Sequence, residues 1–323
     1  MITQSPESDM LEPYLTYVRQ RSEALAEVIG SVVGNNVDVQ LCPRAITEDE
    51  QLFGNDGLLY GVVVGSYEDG YKSVLYRGDF NDEAKKLQGL FTSDVNKANT
   101  YISNELSIGN RVRLKDPKES DGNGQYTVET VEDGVEIFNQ IKASSHGVVL
   151  MPHVCDFTHK ISVGHINLGQ FGVFEYLGVE ENTVVRDRQV YGGTSIGLFD
   201  VVTDRRSLVE AKLEIPSHLS LAGIRAIGQY YQVAKKVGRV SVDVIEGYTD
   251  NGTKLASVID ITPRVGGVSP AEVLAIRELA DGSGFVCFSS SRLIFDPVTI
   301  PKTGKNFIET STLIINAYID EVI

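Results

Sequence analysis

Apolar residues at Leu11, Tyr14, Leu15 and Val18, then Leu25, Val28 and Ile29, recur at three- and four-residue intervals. That is the spacing of an amphipathic helix, and it predicts one long helix over residues 10–30. After Gly34 and the Asn35–Asn36 pair the segment VDVQLC alternates like a strand. Beyond the acidic turn TEDEQ, the apolar run GLLYGVVVG predicts another, which completes a small α/β unit. DEAKKLQGLF and DVNKANTYISNEL predict helices, the second with Asp94 as its N-cap, and RVRLK predicts a strand. The polar break DPKESDGNGQ, from Asp116 to Gln125, then separates RVRLK from the strand YTVETV as a hairpin loop. VEDGVEIFNQI is a helix, with Asp133 near its start, and HGVVLMPHV, ISVGHINLG, FGVFEYLG and NTVVRD are strands. SLAGIRAIGQYYQVAKKVG is the longest helix of the second half. RVSVDVIEGY and KLASVIDITP form a hairpin across the turn TDNGT. PAEVLAIREL forms a further helix, and strands and irregular chain follow it. No internal repeat or low-complexity tract interrupts this order.

Composition narrows the function classes. The 323 residues carry 29 Lys and Arg against 44 Asp and Glu, a formal charge of −15, so a polyanion such as nucleic acid finds no general electrostatic attraction here. With 42% hydrophobic and 23% charged residues the chain can bury a core unaided, which excludes disorder as its main state. Length suggests about two domains. Cys42, Cys155 and Cys287 are odd in number and far apart, which implies no disulfide framework. The opening MITQSPESDM lacks the basic and apolar stretches of a signal peptide, and the apolar runs fall short of the ~18 residues needed to span a bilayer. A cytoplasmic protein without membrane contact is expected.

The candidate chemistry concentrates on the second hairpin. Asp243 lies within its first strand and Asp260 at the end of its second, and Thr262 and Arg264 continue the face of Asp260 by alternation. Two carboxylates and a hydroxyl can share a hard cation such as Mg²⁺. The alternative is a solvated strand with no ligand role, although the apolar settings VSVDVI and SVIDIT ask for a partner or a metal. Two other patterns carry less. Gly193, Ser195 and Gly197 fit the G-x-S-x-G elbow of α/β-hydrolases, but the sequel LFDVVTD is strand-like and His218 follows too closely. His153, Cys155, His159 and His165 lack the paired spacing of a zinc site.

The segment GRVSVDVIEGYTDNGTKLASVIDITPRVGGVSPAE resembles the metal-binding hairpin of ATP-grasp enzymes, in which an acidic strand is followed by a Glu-x-Asn-x-Arg-type strand end. Here Asp260 stands for the Glu and Thr262 for the Asn. The resemblance assigns Mg²⁺ to Asp243, Asp260 and Thr262, and the phosphate or acyl group to Arg264. RVRLKDPKESDGNGQYTV is similar to the strand, lysine and glycine-rich lid of the family. Lys115 is then the nucleotide-facing lysine, and Gly122 and Gly124 let the lid close over phosphates. The family's earlier lysine falls on Lys72, with Lys97 a poorer fit. HGVVLMPHV resembles the hinge strand that reads adenine, which brings Leu150, Met151 and His153 to the base. Where the family carries acids the hinge has Met151 and Pro152, and Asp156 is the nearest carboxylate. The likeness runs over roughly residues 70–280, includes VYGGTSIGLFD, and is closest to a bacterial branch with no assigned reaction.

The resemblance implies an α+β chain of ATP-grasp fold, two α/β lobes clasping nucleotide after a small N-terminal α/β unit. The expected divisions are 1–68 for the N-terminal unit, 69–145 for a first lobe with the lid, and 146–323 for a second lobe with the hairpin. It further implies an ATP- and Mg²⁺-dependent carboxylate–amine or thiol ligase acting through an acylphosphate. Lys115 and Arg264 would be its catalytic residues and Lys72 a further phosphate contact. Small-molecule acids and amines would be its partners, with a homodimer possible. The alternative is a nucleotide-binding or structural protein of the same fold without turnover.

Overall fold

The computed structural model describes residues 2–4, 12–33, 39–41, 61–62, 89–116, 124–185, 188–233, 238–262 and 265–323. The chain divides by contact into two units. One comprises Met1–Gly65, Ile161–Val242 and Thr262–Ile323, and the other Ser66–Lys160 and Asp243–Ile261. The contiguous three-part division expected from the sequence differs from this. Its N-terminal part falls in the first unit, and the second unit takes in a hairpin segment from much later in the chain.

In the first unit the predicted N-terminal helix is α1 (Glu12–Val33), beside a parallel three-stranded sheet ordered β2 (Val39–Leu41), β1 (Ile2–Gln4), β3 (Gly61–Val62). The periodic residues Leu25, Val28 and Ile29 are buried in one core with Ala271, Leu274 and Ala275. That core also takes in Phe174 and Ile196, so the N-terminal helix covers the same apolar layer as the strands.

Those strands are β8 (Val154–Asn167), β9 (Val173–Val185), β10 (Arg188–Asp200), β13 (Val286–Phe295), β14 (Lys305–Glu309) and β15 (Leu313–Val322). They pair antiparallel in the order β8-β9-β10-β13-β15-β14. β9 fuses the predicted strands FGVFEYLG and NTVVRD into one. Ser195 sits in the middle of β10, opposite Val179 and Ser290, and the strand continues through Asp200. The G-x-S-x-G pattern is therefore a strand interior and forms no elbow.

The second unit is built on a four-stranded antiparallel sheet, β4 (Leu90–Thr92), β7 (Val148–Pro152), β5 (Val112–Lys115) and β6 (Gln125–Val128), in that order. Leu90–Thr92 lies where DEAKKLQGLF predicts the end of a helix. Its pairing with Val148–Leu150 overrides local helix propensity. On one face of the sheet pack α2 (Val95–Ser107) and α3 (Val131–Gln140), whose Ala98, Ile102 and Phe138 join Val112, Leu114, Val128 and Leu150 in a core. Asp94 caps α2 by accepting from the N–H groups of Asn96 and Lys97, as the sequence predicts. Thr130 caps α3, one position outside the predicted segment.

Candidate functional site

Alternation in RVRLK decides what β5 presents on its second face. Val112 and Leu114 enter the helix-side core, so Arg113 and Lys115 point the other way, opposite Met151 and Val149 of β7. Against that face pack parts of β11 (Arg239–Thr249) and β12 (Lys254–Thr262), the two strands of the predicted hairpin. Met151, Val154 and Ile245 form a buried cluster with Leu255 and Ile259 at its edge. Lys115 reaches from the end of β5 and donates a hydrogen bond from Nζ to the carbonyl of Ile259 at 3.2 Å. Asp260 is the next residue. Lys115, Asp243 and Asp260, assigned to one chemistry by the sequence, thus belong to one unit, and all three are half-buried.

The other predicted residues are distributed as follows. Gly124 lies where β5 and β6 leave their pairing: its φ of +64° is left-handed, and its carbonyl accepts from the Asp116 N–H at 2.8 Å. Leu150 pairs with Leu90 on one side and Leu114 on the other, and its side chain is enclosed under the helices. Met151 faces the hairpin. His153 turns its ring toward the hairpin tip, with Nδ1 3.4 Å from an Asp250 carboxylate oxygen. Thr262 falls in the first unit, where its carbonyl accepts from Arg239 Nη1 at 2.8 Å. Lys72, Gly122 and Arg264 lie outside the described residues.

Three polar arrangements escaped the sequence reading. The first is Arg113, on the same face as Lys115 and donating to Thr127 Oγ1 at 3.2 Å, which the alternation of RVRLK already implied. The second joins Arg111 to Asp250. The Arg111 backbone N–H, Nε and Nη2 donate to that carboxylate at 3.0, 3.2 and 2.7 Å, and chiefly through these bonds its pKa is held down to about 2. The third is in the first unit: Arg239 and Glu272 form an ion pair with both side chains 0% exposed. Arg239 Nε donates to both carboxylate oxygens, at 3.0 and 3.2 Å, and Nη2 to the Tyr176 hydroxyl at 3.4 Å. Burial pushes the Tyr176 hydroxyl well above its ordinary pKa, so it stays neutral beside the pair.

His153, His159 and His165 each face a different carboxylate. His159 Nδ1 lies 3.3 Å from Glu246, and His165 Nδ1 lies 3.8 Å from Glu175. Among the described residues no three His, Cys, Asp or Glu side chains gather as a metal site, and no helix is long and apolar enough to cross a membrane.

Comparison with solved structures finds similarity to N5-carboxyaminoimidazole ribonucleotide synthetase from Thermus thermophilus, at 13% identity and a TM-score of 0.49 over 93% of this chain and 91% of that one. The Staphylococcus aureus N5-carboxyaminoimidazole synthetase complexed with ADP is similar at 12% identity and a TM-score of 0.46, over 78% of this chain and 67% of that one. The biotin carboxylase domain of Hydrogenobacter thermophilus 2-oxoglutarate carboxylase, solved with MgADP and bicarbonate, gives 12% and 0.46 over 77% of this chain, which spans only 60% of it. No curated protein matches the sequence. A family model described as protein of unknown function (DUF3182) matches residues 86–302. The chain is a member of the DUF3182 family.

Proposed function

We propose that this protein is an ATP-grasp-type, Mg²⁺-dependent ligase that joins a small carboxylate to an amine or thiol through an acylphosphate. One observation carries the reading. Lys115, assigned to the nucleotide by the sequence resemblance, ends its strand on the backbone of the hairpin, next to the assigned metal ligand Asp260. The chain's groups suit the ligand: a lysine and an arginine on one sheet face can meet phosphate oxygens, and paired carboxylates are the hard oxygen donors Mg²⁺ prefers. MgATP would supply the phosphoryl group that activates the acid. Lys115 and Arg113 would neutralise and orient its phosphates, and Asp243 and Asp260 would hold the cation.

Titrating MgATP into the protein tests the reading. A ligand bound only by the folded state adds about 2.7 kcal/mol at a hundredfold excess over Kd, so the melting temperature should rise, and EDTA should remove most of the rise. Lys115→Ala should weaken binding by roughly 1.5 to 3 kcal/mol, the range for hydrogen bonds to charged groups. Lys97→Ala, on the exposed face of α2, should bind normally. Asp260→Asn should lose Mg²⁺-dependent binding while the ligand-free protein stays as stable as before. No shift with millimolar MgATP defeats the proposal. Stabilisation with no ADP release in the presence of pooled acids and amines would instead favour a nucleotide-binding protein without turnover.

A further inference from the structure

The turn TDNGT is more elaborate than a hairpin needs. Gly252, at φ +82°, supplies the left-handed position, and Asn251 Oδ1 accepts from the Thr253 N–H at 3.0 Å and the Thr249 hydroxyl at 2.8 Å. Those contacts close the turn. The Asp250 carboxylate is directed away from them at Arg111, which donates to it from its backbone N–H, Nε and Nη2. Asn251 also reaches off the ribbon. Its backbone N–H donates to Asn110 Oδ1 at 3.1 Å, and its Nδ2 donates to the Ile108 carbonyl at 3.1 Å. Asn110 is itself fixed, 4% exposed and donating to Glu105 Oε2 at 3.0 Å.

β5 therefore grips the hairpin at both ends, through Arg111 just before its first residue and Lys115 at its last. Between the grips lies the small cluster around Met151, Val154 and Ile245, and on its other edge β11 is hydrogen-bonded to β8. Among the described residues β12 is the outermost strand of its sheet, paired with β11 on one side, and slipping it by one residue turns every side chain to the other face. With two grips, any slip that keeps one breaks the other.

We propose that Asp250 and Asn251 are positioning residues, which lock the hairpin on β5 in the register that sets Lys115 against Ile259 and thereby places Asp260 for its ligand. This rests on the MgATP reading above. Neither residue touches the ligand; both act through Lys115 and Asp260.

Two measurements on Asp250→Asn, Asn251→Ala and the exposed control Asp281→Asn test it: amide hydrogen exchange of the ligand-free protein, and calorimetric titration with ATP at saturating MgCl₂. The proposal expects exchange across residues 255–261 to accelerate at least about tenfold in the two tip variants, as local opening becomes easier. It also expects MgATP affinity to fall roughly tenfold to a hundredfold, the scale of a small misplacement of binding groups. The control should match wild type in both. Asp250→Asn with Arg111→Gln should be no weaker than either single change, because the two remove one contact. Unchanged exchange in both tip variants shows that there is no clasp and overturns the proposal. Faster exchange with wild-type affinity shows that the clasp is architecture alone, and also overturns it. If wild-type protein binds no MgATP, the ligase reading falls and the positioning role with it, while the exchange measurement still decides whether the clasp exists.

Discussion

Removing either member of the Arg239–Glu272 pair should destabilise the protein strongly, but with different pH dependence. Both side chains are fully enclosed, and stranding one member of a buried pair typically costs about 3 to 5 kcal/mol. In Glu272→Met the guanidinium is left among Tyr176, the Thr262 carbonyl and apolar neighbours. It cannot shed its charge, because arginine does not deprotonate in proteins. In Arg239→Met the group that loses its buried counter-charge is a carboxylate, which can take up a proton. For a carboxyl of ordinary pKa near 4.3, protonation costs about 1.4 kcal/mol for each pH unit above that value, or roughly 3.7 kcal/mol at pH 7. A folded-state pKa raised in this way makes the penalty smallest at low pH and larger as pH rises. The loss in Arg239→Met should therefore shrink by about 1.4 kcal/mol per unit between pH 7 and pH 5, while that in Glu272→Met stays flat. The double variant Arg239→Met/Glu272→Leu should recover most of the stability. About 1 to 3 kcal/mol should remain lost, because the Thr262 carbonyl loses its donor. Urea denaturation of the variants and wild type at pH 5, 6 and 7, followed by circular dichroism, reads all of these. Equal, pH-independent losses in the two single variants would refute the reasoning.

Gly164→Ala should destabilise the first unit by about 1 to 3 kcal/mol, because an added Cβ would stand 1.8 Å from the Tyr176 ring; a chemical-denaturation midpoint within error of wild type would refute it. The Asp250 carboxyl sits at about 2 in the folded chain against an ordinary 3.8, so its contribution is complete above pH 4 and is lost as pH falls toward 2. The stability gap between wild type and Asp250→Asn, measured by urea, should accordingly close over that range and not at higher pH. In a Cys42→Ser background, maleimide should modify the exposed Cys155 promptly and Cys287 only on unfolding, since burial pushes the Cys287 thiol up to about 12; mass spectrometry of the labelled peptides checks this.

What the sequence made legible was local. The hairpin could be read because TDNGT is turn chemistry between alternating runs, and Asp94 because an acid before a helical period finds free N–H groups. The face of Lys115 followed from period two. What stayed hidden depends on chain segments far apart in sequence. Arg111 gives no sign that its carboxylate is Asp250, and nothing local says that Asp243–Ile261 belongs with Ser66–Lys160. Leu90–Thr92 became a strand because a partner, Val148–Leu150, was available. One signal was present and overlooked: Glu272 is the lone acid in the apolar stretch PAEVLAI, and Arg239 opens an apolar strand. A charge in such a setting needs an opposite charge, although the sequence cannot say which.

The contacts around Asp260 share a feature that bears on its role. Lys115 takes the carbonyl of Ile259, just before it, and Arg239 takes the carbonyl of Thr262, two residues after. Each cation holds β12 through its backbone, where the hydrogen bond does not depend on the identity of the side chain. A strand fixed in that way can vary its side chains without losing its place, whereas a strand held through its carboxylates could not. Other side chains at Asp260 and Thr262 are changes that such a scaffold tolerates. A substitution at Asp260 or Thr262 that keeps the backbone conformation therefore leaves both hydrogen bonds in place, Lys115 to the Ile259 carbonyl and Arg239 to the Thr262 carbonyl.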